Sequence, residues 1–161
     1  MTAGGGLGLI GGGYGDSSWL DAQFDRCEGH RVGVGFITWS LRKSPSLLSD
    51  VLKRRPVAVM LSFGDPRPFA AEIRKAGAQL ICQCQTIDHV WDAIDVGAEI
   101  IVIQSTEAGG HGMLRGAMSF VPEAADLIAE HAPGSIPVAA SGIAADRPAQ
   151  RTAVLRVPAS S

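Results

Sequence analysis

A histidine stands directly behind two glycines in the stretch Q-S-T-E-A-G-G-H-G, residues 104–112, which follows the apolar run E-I-I-V-I. An imidazole titrates near neutral pH, so His111 can act as a base over a bound substrate. It can equally be an exposed loop residue, or a metal ligand together with Glu107 four positions earlier. Gly109 and Gly110 disfavour the helix that would align Glu107 with His111, so we predict no metal site.

Other polar residues interrupt or end apolar runs elsewhere in the chain. Gln83 lies inside A-Q-L-I-C-Q-C-Q, Gln104 ends E-I-I-V-I-Q, and Ser141 with Gly142 ends I-P-V-A-A-S-G. Polar side chains at such places face a ligand or satisfy neighbouring backbone, and adjacent glycines let backbone N–H groups approach an anion. Spacing alone leaves both interpretations open.

The elements that would position these residues alternate regularly. Apolar runs predict six strands, at 7–10, 31–38, 56–63, 78–85, 99–105 and 136–141, and helical spacing predicts five helices, at 17–27, 44–55, 68–77, 86–97 and 121–134. We expect N-caps at Ser17 or Ser18 and at Thr86, and Pro122 at the start of the last helix. Such alternation favours a (β/α) barrel or a doubly wound sheet, with function at the carboxyl ends of the strands.

Several function classes are disfavoured. The glycines of residues 6–11 fit G-x-G-x-x-G by letter, but the strand and helix that a dinucleotide-binding turn needs are misplaced. Cys82 and Cys84 form no C-x-x-C pair and lack a partnered base. A net charge of −2 does not indicate the basic surface that a nucleic-acid-binding protein needs. Neither a membrane span nor a signal peptide is apparent in the sequence. We expect a cytoplasmic protein.

Five stretches carry a family resemblance: G-L-G-L-I-G-G-G-Y-G-D, V-G-V-G-F-I-T-W-S-L, residues 59–86, G-A-E-I-I-V-I-Q-S-T-E-A-G-G-H-G and I-P-V-A-A-S-G-I-A. From about residue 3 to about residue 146 the chain resembles the nitronate monooxygenases, formerly called 2-nitropropane dioxygenases. Its most specific piece is E-A-G-G-H-G behind a Gln. The family is an FMN-dependent TIM barrel that oxidises alkyl nitronates with dioxygen.

The resemblance implies roles for individual residues. His111 matches the active-site histidine, a base or a hydrogen-bond donor to the nitro group. Gln83 and Gln104 fall where the family contacts the flavin ring and ribityl chain. Gly109 and Gly110 fall in the cofactor-lining loop, and Ser141 with Gly142 matches part of the phosphate-binding turn. The implied cofactor is FMN, and the implied partners are a small-molecule nitronate and dioxygen.

The ends depart from the family pattern. We expect an incomplete (β/α) TIM-barrel-like α/β fold of about six β/α units that lacks the first and last strands. The expected domains are a partial FMN-dependent barrel at 1–146 and an irregular tail at 147–161. We interpret the tail as the product of translation in a shifted reading frame. Open apolar edges favour a homo-oligomer. The alternatives are a flavin-dependent enoyl reductase of fatty-acid synthesis and a catalytically silent barrel fragment.

Overall fold

The computed structural model describes residues 6–13, 15–111 and 114–140, together with the backbone of residues 155 and 156. The chain divides into two compact units, Met1–Ile81 and Cys82–Ser161. The strands are β1 (Gly8–Gly11), β2 (Val32–Ile37), β3 (Ala58–Ser62), β4 (Gln79–Cys84), β5 (Ile100–Gln104), β6 (Ile136–Ala140) and β7 (Leu155–Arg156). The helices are α1 (Ser17–Arg26), α2 (Thr38–Leu41), α3 (Ser46–Lys53), α4 (Arg67–Lys75), α5 (Ile87–Asp95) and α6 (Ala117–His131), and a 3₁₀ turn spans Thr106–Ala108.

In the first unit β1, β2 and β3 pair in parallel in chain order. Leu9 lies opposite Gly33 in this register. A Cβ at position 33 would lie 2.5 Å from Leu9 Cδ2 and 2.8 Å from the carbonyl oxygen of Ala58. Glycine is therefore required at position 33, because the neighbouring atoms leave no space for a side chain.

The core of the first unit forms where helices cover the parallel strands. Leu20 of α1, Leu48 of α3 and Ile73 of α4 are fully buried, as are Val34 of β2 and Val59 of β3. Parallel strands that are covered by helices on both faces consist almost entirely of apolar residues, and the strands of this sequence have that composition.

In the second unit β5 and β6 pair in parallel, from Ile100 opposite Ile136 to Gln104 opposite Ala140. The two-residue strand β7 pairs antiparallel with β6. It falls in the stretch 147–161, of which the structure describes only these two residues, so the irregular tail remains a prediction. Fully buried side chains from the helices and from β5 form the core of this unit: Val90, Ile101, Ile103, Phe120 and Ile128.

The six predicted strands are all present, each within two residues of the predicted bounds. Thr86 caps α5 as predicted, because its hydroxyl accepts from the His89 N–H at 3.2 Å. The cap of α1 is Asp16 rather than Ser17 or Ser18, and its carboxylate accepts from the Trp19 N–H at 3.0 Å. The short helix α2 and the 3₁₀ turn were not predicted.

The last helix begins earlier than the sequence predicted. α6 begins at Ala117, so Pro122 lies inside the helix rather than at its first position. The reason is a cap from outside the helix: both carboxylate oxygens of Glu107 lie 3.0 Å from the Ala117 N–H. Among the helices in the described ranges, none has the length and apolar character to cross a lipid bilayer.

Candidate active site

Strand β4 sends alternate side chains to opposite faces, and its two faces differ in chemistry. Cys82 and Cys84 are buried on one face. Burial raises the pKa of the Cys82 thiol to about 12, and the carboxylates of Glu99 and Asp92 add to the shift. Burial also raises the pKa of Cys84, whose thiol donates to the His89 carbonyl at 3.2 Å. Both thiols are therefore neutral near pH 7, and neither has the thiolate character of a nucleophile.

The other face of β4 carries Gln83, and Gln85 follows the strand two residues later. Together with Gln104 at the end of β5 they form a hydrogen-bonded cluster that we call the glutamine triad. Gln104 Oε1 accepts from Gln83 Nε2 and, at 2.9 Å, from Gln85 Nε2. Gln85 and Gln104 are 6% and 8% exposed, whereas Gln83 is half-buried. Three amide side chains are thus fixed against one another at the carboxyl ends of two strands.

The triad also holds the loop that carries His111. Gln104 Nε2 donates to the Gly109 carbonyl at 3.2 Å, and Gln85 Nε2 donates to the His111 carbonyl. The imidazole of His111 is exposed. The loop backbone is therefore anchored by two buried amides, while the histidine side chain remains accessible to a ligand.

Gly109 and Gly110 have backbone conformations that other residues avoid. Gly109 has φ 76° and ψ −178°, a combination that is essentially restricted to glycine, and Gly110 has φ 72°. Among the described residues, apart from the chain neighbours of each glycine, no heavy atom lies within 4 Å of where a Cβ would stand at either position. Conformation rather than crowding by these residues therefore requires glycine here, and they leave open the side of the loop where a Cβ would project.

The start of the loop is tied down as well. The Ser105 N–H donates to the Ala140 carbonyl at the end of β6 at 3.0 Å, and the Thr106 N–H donates to the Arg115 carbonyl at 2.9 Å. The carboxylate of Glu107, considered above as a metal ligand, caps α6 instead. The described residues contain no cluster of three or more His, Cys, Asp or Glu side chains able to hold a metal ion.

Of the residues expected from the sequence, the structure brings five together: Gln83, Gln104, Gly109, Gly110 and His111. Ser141 and Gly142 lie outside the described residues. Sequence reasoning missed Gln85. The signal was available, because residues two apart on a strand share a face and Gln83 was already a candidate.

In the first unit, polar residues also follow the carboxyl end of a strand. Thr38, directly after β2, is fully buried, and its hydroxyl has no hydrogen-bond partner among the described residues. The indole of Trp39 is half-exposed, with Lys43 Nζ 5.0 Å from its ring centre. The carboxyl ends of β2 and β5 thus each lead into a segment with buried polar groups.

Comparison with known proteins places these features in a family. Residues 37–161 match the family model described as nitronate monooxygenase. A nitronate monooxygenase of Paraburkholderia phytofirmans is 32% identical over 96 residues, which are 58% of this chain and 26% of that protein. The nitronate monooxygenase npaC of Metarhizium robertsii is 34% identical over 126 residues, 69% of this chain and 33% of that protein.

Solved structures agree on the fold. FabK from Thermotoga maritima superposes with a TM-score of 0.77 at 21% identity, covering 98% of this chain and 50% of that chain. A nitroalkane oxidase from Streptomyces ansochromogenes gives a TM-score of 0.70 at 21% identity, covering 88% and 52%.

The six parallel strands with alternating helices and these superpositions define the class as an incomplete α/β barrel of the TIM type. The chain belongs to the nitronate monooxygenase family. It spans about a quarter to a third of the length of the curated relatives that it matches.

Proposed function

We propose that this chain carries the active-site part of an FMN-dependent oxidoreductase that oxidises alkyl nitronates, or the parent nitroalkanes, with dioxygen. The observation that carries the proposal is the glutamine triad, which holds the Gly109–His111 backbone and leaves the imidazole exposed. Family membership supports the reaction class.

The residues present fit a flavin. A flavin ring offers both N–H and carbonyl groups along its edge, and the triad offers amide donors and acceptors beside an open glycine loop. Gln83, Gln104, Gly109 and Gly110 would line the ring and the ribityl chain. Ser141 and Gly142 would contribute to the phosphate turn. When bound, the flavin supplies the redox chemistry between nitronate and dioxygen.

The chain's own contribution is to orient the substrate and to move a proton. A nitronate already carries carbanion character, so it needs little more than placement and one donor at its nitro oxygens. The His111 imidazole would provide that donor. With a neutral nitroalkane, the neutral imidazole would instead take the proton from the carbon next to the nitro group.

An FMN titration of the full chain tests this proposal. After desalting, the protein is expected to retain flavin absorption bands in its visible spectrum. NAD(P)H is then added: rapid reduction of the bound flavin would favour the enoyl reductase alternative. A colourless protein after FMN addition would contradict the flavoprotein proposal and favour the catalytically silent fragment.

We also propose a cytoplasmic location and association of the chain with itself. Cys27, Cys82 and Cys84 are free, which suits a reducing compartment. Leu7 and Leu9, beside and within β1, which ends the strand order among the described residues, are 37% and 39% exposed, which supports association at this strand. Light scattering over a range of protein concentrations would test the association, and a monomer throughout would contradict it.

A further inference from the structure

Two backbone carbonyls determine which way each amide of the glutamine triad points. A carbonyl oxygen only accepts hydrogen bonds, so the Gln85 atom at the His111 carbonyl must be Nε2, and the Gln104 atom at the Gly109 carbonyl must also be Nε2. Gln104 therefore directs Oε1 toward Gln83 and Gln85. Both of those side chains must then present their nitrogen atoms to it.

In this arrangement some donors and acceptors of the triad are fully occupied by hydrogen bonds and others are not. Gln104 Oε1 accepts two hydrogen bonds, which fills the capacity of a carbonyl oxygen. Gln85 Nε2 likewise makes two hydrogen bonds, one to Gln104 and one to the His111 carbonyl. Within the described part of the chain, neither Gln83 Oε1 nor Gln85 Oε1 accepts a hydrogen bond. Gln83 is half-buried whereas Gln85 is 6% exposed, so the acceptor that the triad can more readily offer to a ligand is the oxygen of Gln83.

The backbone of Gln85 is anchored by the helix that follows it. Its backbone N–H donates to His89 Nδ1 at 3.4 Å, and His89 lies in the first turn of α5, where Thr86 caps its N–H. The Gln85 side chain is 6% exposed, so its amide has few alternative partners. A buried donor with two acceptors and an anchored backbone can impose its orientation on its neighbours.

We propose that Gln85 is a positioning residue that stabilises the hydrogen-bond polarity of the site, meaning which atom of each amide donates and which accepts. By donating to both the His111 carbonyl and Gln104 Oε1, it reinforces the orientation that the Gly109 carbonyl imposes on Gln104. Gln83 Oε1 is then left to accept from an N–H group of the bound ring. This inference rests on the proposed function for the identity of the ligand, but not for the internal arrangement of the triad.

Gln85→Glu tests this polarity because it keeps the side-chain length and removes the donor. Around pH 8 the carboxylate would face two oxygens that need a donor, and we expect the Kd for FMN to rise by about tenfold or more. Around pH 5 a protonated carboxyl can donate again, so the loss should shrink. The matched control is Gln79→Glu, an exposed glutamine on the same strand, which should bind as the unmodified chain does at both pH values.

A second readout needs no flavin. In ¹⁵N spectra of the ligand-free chain, the side-chain NH₂ signals of Gln83 and Gln104 should move in Gln85→Glu around pH 8 and stay unchanged in Gln79→Glu. If FMN does not bind but these signals move, the proposed function fails while the role of Gln85 in the triad stands. If Gln85→Glu matches Gln79→Glu in both measurements, the positioning role is overturned.

Gln85→Met covers the case in which Gln85→Glu does not fold. Methionine keeps the volume without donor or acceptor, so we expect weaker FMN binding with no recovery at low pH, and shifted Gln104 NH₂ signals. Unchanged NH₂ signals in a folded Gln85→Met protein would refute the proposal.

Discussion

At the scale of single residues, the site depends on amides and glycines that hold a histidine, rather than on a charged cluster. Gln85 and Gln104 are buried and hydrogen-bonded, and they anchor the carbonyls of Gly109 and His111. The hydrogen bonds that these two amides make with each other and with the loop carbonyls offset part of the cost of their burial. The exposed imidazole is then presented on a loop of defined shape.

Gly109→Ala should disturb this loop directly. The φ of 76° with ψ −178° at Gly109 is unfavourable for alanine by about 1–3 kcal/mol, so the loop would shift and the bond from Gln104 to the Gly109 carbonyl would weaken. We expect a lower free energy of unfolding in urea and weaker FMN binding. Gly134→Ala is the matched control, because Gly134 has open space and no positive φ. Equal losses in both variants would contradict the account.

The three thiols should differ in reactivity. Cys27 is half-buried, whereas Cys82 and Cys84 are buried with raised thiol pKa values. Alkylation by iodoacetamide near pH 8, followed by mass spectrometry, should modify Cys27 at least about tenfold faster than either of the others. All three should react alike in urea. Fast labelling of Cys82 in the folded protein would show that this face of β4 is not packed as described.

At the scale of elements, helix caps connect the scaffold to the site. Thr86 accepts the His89 N–H at the start of α5, and His89 Nδ1 accepts the backbone N–H of Gln85. Glu107, in the loop before His111, caps α6. The elements that bear the core are thereby tied to the residues that would meet the ligand.

Thr86→Ala should cost about 1 kcal/mol of unfolding free energy, because the α5 N-terminus loses its side-chain acceptor. Thr86→Ser retains the hydroxyl and should lose much less. Urea denaturation of the two variants measures the difference. If serine and alanine destabilise equally, the cap is not what stabilises this end of α5.

At the scale of the whole molecule, the sequence predicted what depends on local pattern. Apolar runs located all six main strands, and Gln83, Gln104 and His111 became candidates because polar residues interrupt or follow apolar runs. The start of α6 was missed because its cap, Glu107, comes from a loop ten residues earlier. The role of Gln85 was missed because it depends on which atoms of β4, β5 and the loop meet in space.

The chain matches the nitronate monooxygenase family model over residues 37–161, and the described part of that range contains the triad and His111. We propose that His111, held by the triad, serves the oxidation of nitronates and nitroalkanes at a bound flavin.

Oxygen uptake with a neutral nitroalkane tests that proposal most directly, in FMN-loaded protein with and without His111→Ala. We expect steady uptake by the unmodified chain and a rate lower by about 10²–10⁴-fold in His111→Ala, because the imidazole takes the proton that must leave the nitroalkane. Flavin absorption should be similar in both, since the His111 side chain is exposed. Equal uptake by the two proteins, each retaining flavin, would contradict the account.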